Sequence, residues 1–316
     1  MATLTARRAE SVRTGHEARR HRRRGLVSRP ARRRRLTAAA YVAPMAAIVA
    51  VLFVVPLLLM VWMSITRWPL LGASGGHGIA NYQALADPLF LRAIVFALKY
   101  AVITTTVLGL ISFGLALLVQ EARPGVRLFR TVFFLPAAVG LASASLLFYG
   151  LFNSQASWLN ALVRWLGLGD GRVDWLGDGD SALLSTVGMM TWRFAGYYMI
   201  ILLTGLQSIN PLLYEAARSD GANRLQIMGR ITLPLLRPTI ALMLVLLVTS
   251  SLLAFDQFFI LTGGRHNTAT PVIAIYREAF TAQDLGRASA VSVAVLVVLI
   301  VINVAQLRLL QRGEDR

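Results

Sequence analysis

Glu215-Ala216-Ala217-Arg218-Ser219-Asp220-Gly221, closed by Ile231-Thr232-Leu233-Pro234, is a polar island of helix-forming residues between two long apolar runs. Asn210-Pro211 opens the island. Asparagine caps free amides there, and proline fits the first helical turn. Leu212 to Ser219 then reads as helix, and Asp220-Gly221 ends it with the left-handed turn that a side chain resists. Asn223 is placed to cap a second helix through Gln226 and Met228 toward Ile231, with Pro234 expected to stop it before the next apolar run. The segment 210–235 is therefore expected to form two short helices meeting at a glycine. Ala216 and Ala217 offer close approach, while Glu215, Arg218 and Arg224 offer charge. Such an elbow is either a docking surface for another polypeptide or a connection with local helix.

The flanking runs set the fold class. Of 316 residues, 56% are hydrophobic and only 15% charged, more apolar surface than a soluble chain of this size hides. Six runs close to the helical span of a bilayer cover roughly 37–63, 94–120, 129–152, 182–206, 238–262 and 287–308. The expectation is an all-α polytopic membrane protein with six transmembrane helices and the elbow between the fourth and fifth.

Charge sets the orientation. Net charge is +17, and thirteen arginines precede the first span. Arg123, Arg127 and Arg130 lie in the loop after the second span, and Arg218, Arg224, Arg230 and Arg237 in the elbow. Arg308, Arg312 and Arg316 lie at the end. The alternate loops are poorer in arginine. Arginine-rich loops stay in the cytoplasm, so both termini and the elbow are expected inside the cell membrane.

Several function classes are excluded or left without support. Without cysteine there is neither disulfide nor thiolate metal site. His16, His21, His77 and His266 form no ligand-spaced cluster, so no metal is expected. The single lysine, Lys99, stands in Phe96-Ala97-Leu98-Lys99-Tyr100. A Walker A loop needs a lysine after its glycines, so the chain binds no ATP by that route. No nucleophile–base pair suggests catalysis.

Residues 1–36 read as a basic, disordered cytoplasmic arm outside the apolar core. Its arginines suit topology anchoring and anionic lipid. No aromatic interleaving supports nucleic acid, and the run that follows is too long for an export signal. That run, the first transmembrane helix at 37–63, contains Pro44 and Pro56 as expected kink points. The five remaining spans form the core at 94–308, followed by a cytoplasmic tail at 309–316. Gly72, Gly75, Gly76 and Gly78 mark a flexible loop, and Asp87-Pro88 a helix start. Trp158, Trp165 and Trp175 suit the headgroup level, with an interfacial helix near 155–166. Small residues cluster at Ala137, Ala138, Gly140, Ala142, Ser143, Ala144 and Ser145, and again at Ala288, Ser289, Ala290, Ser292 and Ala294. They permit close helix packing in lipid, fixed or moving.

Arg193, in Thr191-Trp192-Arg193-Phe194-Ala195-Gly196, lies near mid-membrane, where a charge should face protein or water. Asp256 lies near the outer end of the fifth span. Trp192, Arg193, Asp256 and Gln257 are therefore candidates either for an interhelical ion pair (Arg193 with Asp256) or for the polar lining of a solute path. An arginine reaching the headgroups unaided is the third option. Lys99 and Glu121 sit near span ends and are expected to reach water.

The spacing Glu215-Ala216-Ala217, three residues, Gly221, nine residues, Ile231-Thr232-Leu233-Pro234 resembles the EAA loop of permease subunits of ATP-binding-cassette importers. Neighbouring residues narrow the likeness. They are Gly205-Leu206-Gln207-Ser208-Ile209-Asn210-Pro211, Phe255-Asp256-Gln257, Leu261-Thr262-Gly263-Gly264, Asn267-Thr268 and Ile275-Tyr276-Arg277-Glu278-Ala279-Phe280. Together they resemble carbohydrate permeases of the maltose and glycerol-3-phosphate type over 37–308. Arg265-His266 departs from the Pro- or Gly-rich residues common in that family after the glycine pair.

The resemblance implies the transmembrane domain of a type I importer. The elbow would sit in a cleft on a cytoplasmic ATPase dimer. Glu215 would meet that partner's polar rim, and Ala216, Ala217 and Gly221 would set close packing. Asp220, Ile231, Leu233 and Pro234 complete the motif. A second, homologous permease subunit would form the other half of the path, and an extracytoplasmic binding protein would deliver a sugar. ATP would be consumed by the partner, with no cofactor on this chain. An ion- or proton-coupled secondary transporter is the alternative reading. It needs buried acid or histidine relays and repeated halves with broken helices. Asp256 alone is a thin relay, and no inverted repeat is evident.

Overall fold

The computed structural model describes residues 29–76, 78–121, 124–153, 158–167 and 173–311. Most of the basic arm, with His77, Arg123, Asp170, Arg172 and the tail from 312, lies outside the described residues. The chain divides into two units, Met1–Leu59 and Met60–Arg316.

In the first unit the chain is helical from Arg29, so the last eight residues expected in the disordered arm belong to a helix instead. Helix α1 (Arg29–Val49) passes through a π-turn (Ala50–Val54) into α2 (Val55–Ser64). Of the two expected kink points, Pro44 lies within the continuous helix α1, and Pro56 follows the π-turn by two residues. The same arrangement recurs at Met228–Thr232 before Pro234. Proline lacks an N–H, and its ring clashes with the carbonyl four residues back. One wide turn just before the ring relieves that conflict and lets the helix continue.

The second unit is a helical bundle with one two-residue hairpin, in which Thr66–Arg67 (β1) pairs antiparallel with Gly75–Gly76 (β2). The glycine loop expected to be flexible thus carries a small piece of ordered backbone. A 3₁₀ turn at Ala80–Ala86 follows, stitched down by Asn81. Its Nδ2 donates to the carbonyls of Ser64 (3.0 Å) and Thr66 (2.8 Å). Helix α3 (Pro88–Leu118) starts as expected, with Asp87 Oδ1 accepting from the Leu89 amide and Pro88 in the first turn.

The run expected as one helix at 129–152 is broken. Helix α4 (Val126–Phe134) and its 3₁₀ extension Leu135–Ala138 meet α5 (Leu141–Asn153) at 91°. Helix α6 (Trp158–Trp165) falls within the stretch 155–166 where a short helix was expected. Helix α7 (Gly179–Gln207) is capped by Asp178, whose carboxylate accepts from the Ser181 and Asp180 amides. Those bonds favour the ionised carboxylate and hold its pKa below the usual carboxylate range.

The elbow follows as α8 (Pro211–Ser219) and α9 (Arg224–Ile227), then α10 (Leu233–Leu252). Pro234 does not stop the second elbow helix. The π-turn at Met228–Thr232 carries the helix on into α10. The fifth run instead breaks further along, at Leu253–Phe255, before α11 (Asp256–Leu261). Helix α12 (Pro271–Tyr276), a π-turn at Arg277–Thr281 and α13 (Leu285–Gln311) complete the chain.

Among the described residues, four helical runs are long and apolar enough to cross a membrane: Ala39–Ser64, Pro88–Leu118, Arg224–Leu261 and Leu285–Arg308. The bent α4–α5 pair makes five if it counts as one span. The remaining expected span, α7, has 29 residues, enough to cross, but Trp192, Arg193, Tyr197 and Tyr198 dilute its apolar character.

Helix α7 lies at the centre, packed on α3 and α10. Leu108 and Ala116 of α3 meet Met199, Leu202 and Leu206 of α7 and Leu236 and Leu247 of α10 in one buried cluster. A second cluster joins Ala97 and Ala101 of α3 to Val291 and Val295 of α13. The small residues expected to pack do so in part: Ala144, Ser145, Ala288, Ser289 and Ala290 are buried, whereas Ala138, Gly140, Ala142 and Ser143 are exposed on this chain. Gly196 marks the closest approach, because a Cβ there would collide with the main-chain carbonyl of Phe133.

Candidate functional site

The elbow is a self-contained unit built by local capping. Asn210 Oδ1 accepts from the Leu212 amide at 3.0 Å and starts α8. At the far end of α8 the Ala222 amide reaches back to Ala217 O (2.9 Å) and the Gly221 amide to Arg218 O (3.1 Å). This paired closure needs a left-handed residue, and Gly221 supplies it at φ 77°. Asn223 and Gln226 cap each other's amides at 2.9 and 2.8 Å, fixing the start of α9. Tyr214 Oη lies 3.4 Å from the hydroxyl of Thr232, which is buried in the π-turn. That contact roots the elbow in the helix leading to α10.

The predicted docking residues fall into two groups. Glu215, Ala216, Asp220 and Gly221 are exposed on α8 and its cap, with Ala217 half-buried. Among the described residues, Glu215 has no ion pair. Ile231, Leu233 and Pro234 lie away from the tip, in the π-turn and the first turn of α10, where they form the root. Sequence reasoning passed over a third group. Leu212 is 65% exposed and Leu225 83% exposed, with Leu213 beside them. Leucines left in the open on an elbow whose backbone is fully capped call for a covering surface. The signal was present in the alternation of Leu212, Leu213 and Leu225 with charged residues, but spacing alone does not say which leucines face the bundle.

Of the candidate path residues, the structure separates Arg193 from Asp256. Nε and Nη2 of Arg193 both donate to the carbonyl of Val139, at 2.8 and 2.6 Å. Its guanidinium stands 4.3 Å from the centre of the Phe194 ring. The break between α4 and α5 explains the choice. An unbroken helix would satisfy the Val139 carbonyl internally, whereas the bend releases it into the bundle. Arginine's paired donors meet that carbonyl, and the buried charge gains a partner at the same time. The interhelical Arg193–Asp256 pair is absent from the described ion pairs. Gln257 is buried next to Phe258, Asp256 is partly exposed in the first turn of α11, and Trp192 leans on Phe148 with 5.2 Å between ring centres. Lys99, expected to reach water, is exposed and also forms an ion pair with Asp180 that ties the first half of α3 to the start of α7. Because Arg193 and Asp256 serve different contacts, the uptake losses of Arg193→Ala and Asp256→Ala should add in the double variant to within about 0.5 kcal/mol. Initial-rate uptake in the three variants measures this.

At the end of the bundle opposite the elbow lies a cavity of about 340 Å³. It opens between the start of α3, the loop after α11, and α12 with its π-turn. Glu278 lines it and pairs with Arg287 at 3.3 Å. Burial pushes its carboxyl above the usual range, and the Arg287 guanidinium opposes that rise. No group of three or more histidine or acidic residues among those described is placed to hold a metal.

Residues 32–313 match the family described as binding-protein-dependent transport system inner membrane component. The chain belongs to that family. It is a multi-pass membrane transport protein, not an enzyme. The chain is 33% identical to the sn-glycerol-3-phosphate transport system permease protein UgpA of Agrobacterium fabrum, over 86% of this chain and 93% of that one. It is 31% identical to the multiple sugar-binding transport system permease protein MsmF of Streptococcus mutans, over 84% and 91%. Among solved structures, a chain of a bacterial ABC transporter involved in the import of the acidic polysaccharide alginate superposes with a TM-score of 0.76 at 25% identity. That likeness covers 89% of this chain and 96% of the other.

Proposed function

We propose that this chain is one permease subunit of an ATP-driven, binding-protein-dependent sugar importer, and that the elbow carries force into it from a separate ATPase. The observation that carries the reading is the elbow itself: a fully capped pair of helices with exposed leucines and an unpaired glutamate, continuous with α10. A rigid knob joined to a spanning helix transmits displacement, and its leucines supply the area for a cytoplasmic partner. Glu215 and Ala216 meet that partner, Ala217 and Gly221 set the closeness of approach, and Ile231, Leu233 and Pro234 anchor the lever. A second, homologous permease completes the path, which includes Trp192, Asp256 and Gln257. Arg193 acts by holding the α4–α5 bend.

Sugar is the substrate class because the relatives in this family are transport systems for multiple sugars, glycerol phosphate and alginate. A related structure is of the alginate transporter in complex with a pentasaccharide-bound periplasmic protein. On this reading both termini and the elbow lie in the cytoplasm and the cavity at the far end outside, which the arginine-rich segments support.

Reconstitution tests the proposal. Proteoliposomes holding this chain, a partner permease and an ATPase should hydrolyse ATP faster when a sugar-loaded binding protein is added. Uptake driven by a proton gradient alone, without ATP, would overturn the reading.

A further inference from the structure

Helix α11 has only six residues and follows the break at Leu253–Phe255, so its own hydrogen bonds do not fix how it is turned. Side chains do. Thr270 Oγ1 donates to the carbonyl of Ala254, inside the break, at 2.6 Å. Phe258 is fully buried and lies edge-on to Phe96 and Tyr100 of α3, with 5.0 and 4.9 Å between ring centres. With Phe258 seated there, its neighbour Gln257 is carried into the seam between α11 and α3, where it is 1% exposed.

An amide in that seam needs polar company, and α3 supplies it. Tyr100 and Thr104 stand one turn apart on the same face of the helix, and both are buried. The side chains of Gln257 and Thr104 face the Tyr100 hydroxyl. None of Tyr100 Oη, Thr104 Oγ1 and Gln257 Oε1 completes a direct hydrogen bond. Buried polar atoms are costly in that condition, and protein interiors answer such a group with a water bonded to two to four of them. Two of the three are hydroxyls that can donate, while the carboxamide oxygen only accepts. A water joined to all three therefore fixes which end of the carboxamide faces α3. The oxygen turns inward, and the amide hydrogens are left for another acceptor.

Resting on the importer reading above, in which Gln257 belongs to the solute path, we propose that Tyr100 and Thr104 are positioning residues, which through one shared buried water hold the Gln257 carboxamide with its N–H groups offered to sugar oxygens. Neither hydroxyl touches the sugar. A carboxamide locked in one orientation gives up little freedom when the sugar arrives.

The test uses the complete transporter in proteoliposomes with sugar-loaded binding protein at saturation, and reads sugar uptake and ATP hydrolysis separately. Tyr100→Phe keeps the ring against Phe258 and removes only the hydroxyl. Its sugar uptake per ATP should fall roughly fivefold or more, with hydrolysis itself within about twofold of wild type. Thr104→Val should show the same split, and Thr104→Ser, which restores the hydroxyl, should undo it. Thr106→Val, on the exposed face of α3, should behave as wild type. Gln257→Leu should lower the ratio at least as far, and adding Tyr100→Phe to it should lower it no further. A further loss in that double variant shows Tyr100 acting without Gln257 and overturns the proposal. So does an unchanged ratio in Tyr100→Phe. A parallel fall of uptake and hydrolysis with a lower melting temperature in both Tyr100→Phe and Thr104→Val overturns it too, because a purely structural contact behaves that way. If loaded binding protein fails to stimulate hydrolysis in wild type, the importer reading fails and the positioning role with it.

Discussion

Sugar uptake should fall to background in the Glu215→Lys, Gly221→Pro double variant, while the amount of protein in the membrane stays near normal. The two changes strike different parts of one device. Glu215 is exposed on α8 without an ion pair, so reversing its charge disturbs nothing inside the chain and acts on whatever the elbow meets. Gly221 holds φ 77°, and its amide donates to Arg218 O. Proline fixes φ near −65° and has no amide to give, a conflict costing about 3 kcal/mol or more. That cost falls on the closure of α8 and tilts α9 away from its capped orientation. Insertion should survive because Glu215 and Gly221 both lie outside the spanning runs. Uptake assays alongside immunoblots of membranes measure both quantities. Wild-type transport by this variant would remove the docking role from the elbow.

The largest loss of stability should come from Gly196→Leu. A side chain at Gly196 meets the carbonyl of Phe133 and the amide of Phe134, main-chain atoms that cannot rotate aside. Either α4 lifts off α7 or α7 bends. Overpacking costs about 1–3 kcal/mol when neighbouring side chains can adjust, and with backbone in the way the effect should reach the upper end of that range or exceed it. The displaced segment leads directly to Val139, so the Arg193 contact should fail as well. Gly188, in the same helix, has open space where its Cβ would stand, so Gly188→Ala should be tolerated. Thermal denaturation in detergent of the two variants beside wild type makes the comparison. Equal melting temperatures would show that α4 and α7 are not in contact in the membrane.

These two glycines show where sequence reading stops. Both sit in one apolar helix, and nothing in the neighbouring residues separates the one jammed against backbone from the one facing open space. Arg193 teaches the same lesson. A charge at mid-membrane signals a buried partner, but Asp256 was the only acid within reach along the sequence. The carbonyl that actually receives it becomes available only because the chain bends by 91° at Val139–Gly140. Pro234 was read as a stop because proline ends most helices, whereas the wide turn just before it carries the helix on into α10.

Sequence alone settled whatever depends on local chemistry. Long apolar runs demand a membrane because no soluble core could cover them. Asn210-Pro211, Asp220-Gly221 and Asn223 with Gln226 define the elbow because capping is a contest over amides a few residues apart. Tertiary structure decided what depends on distant segments meeting: which leucines of the elbow stay exposed, which glycine seats a helix, and which carbonyl answers a buried arginine. Those outcomes turn on close packing, where a displacement of an ångström changes an open space into a collision, and no one-dimensional spacing carries that information.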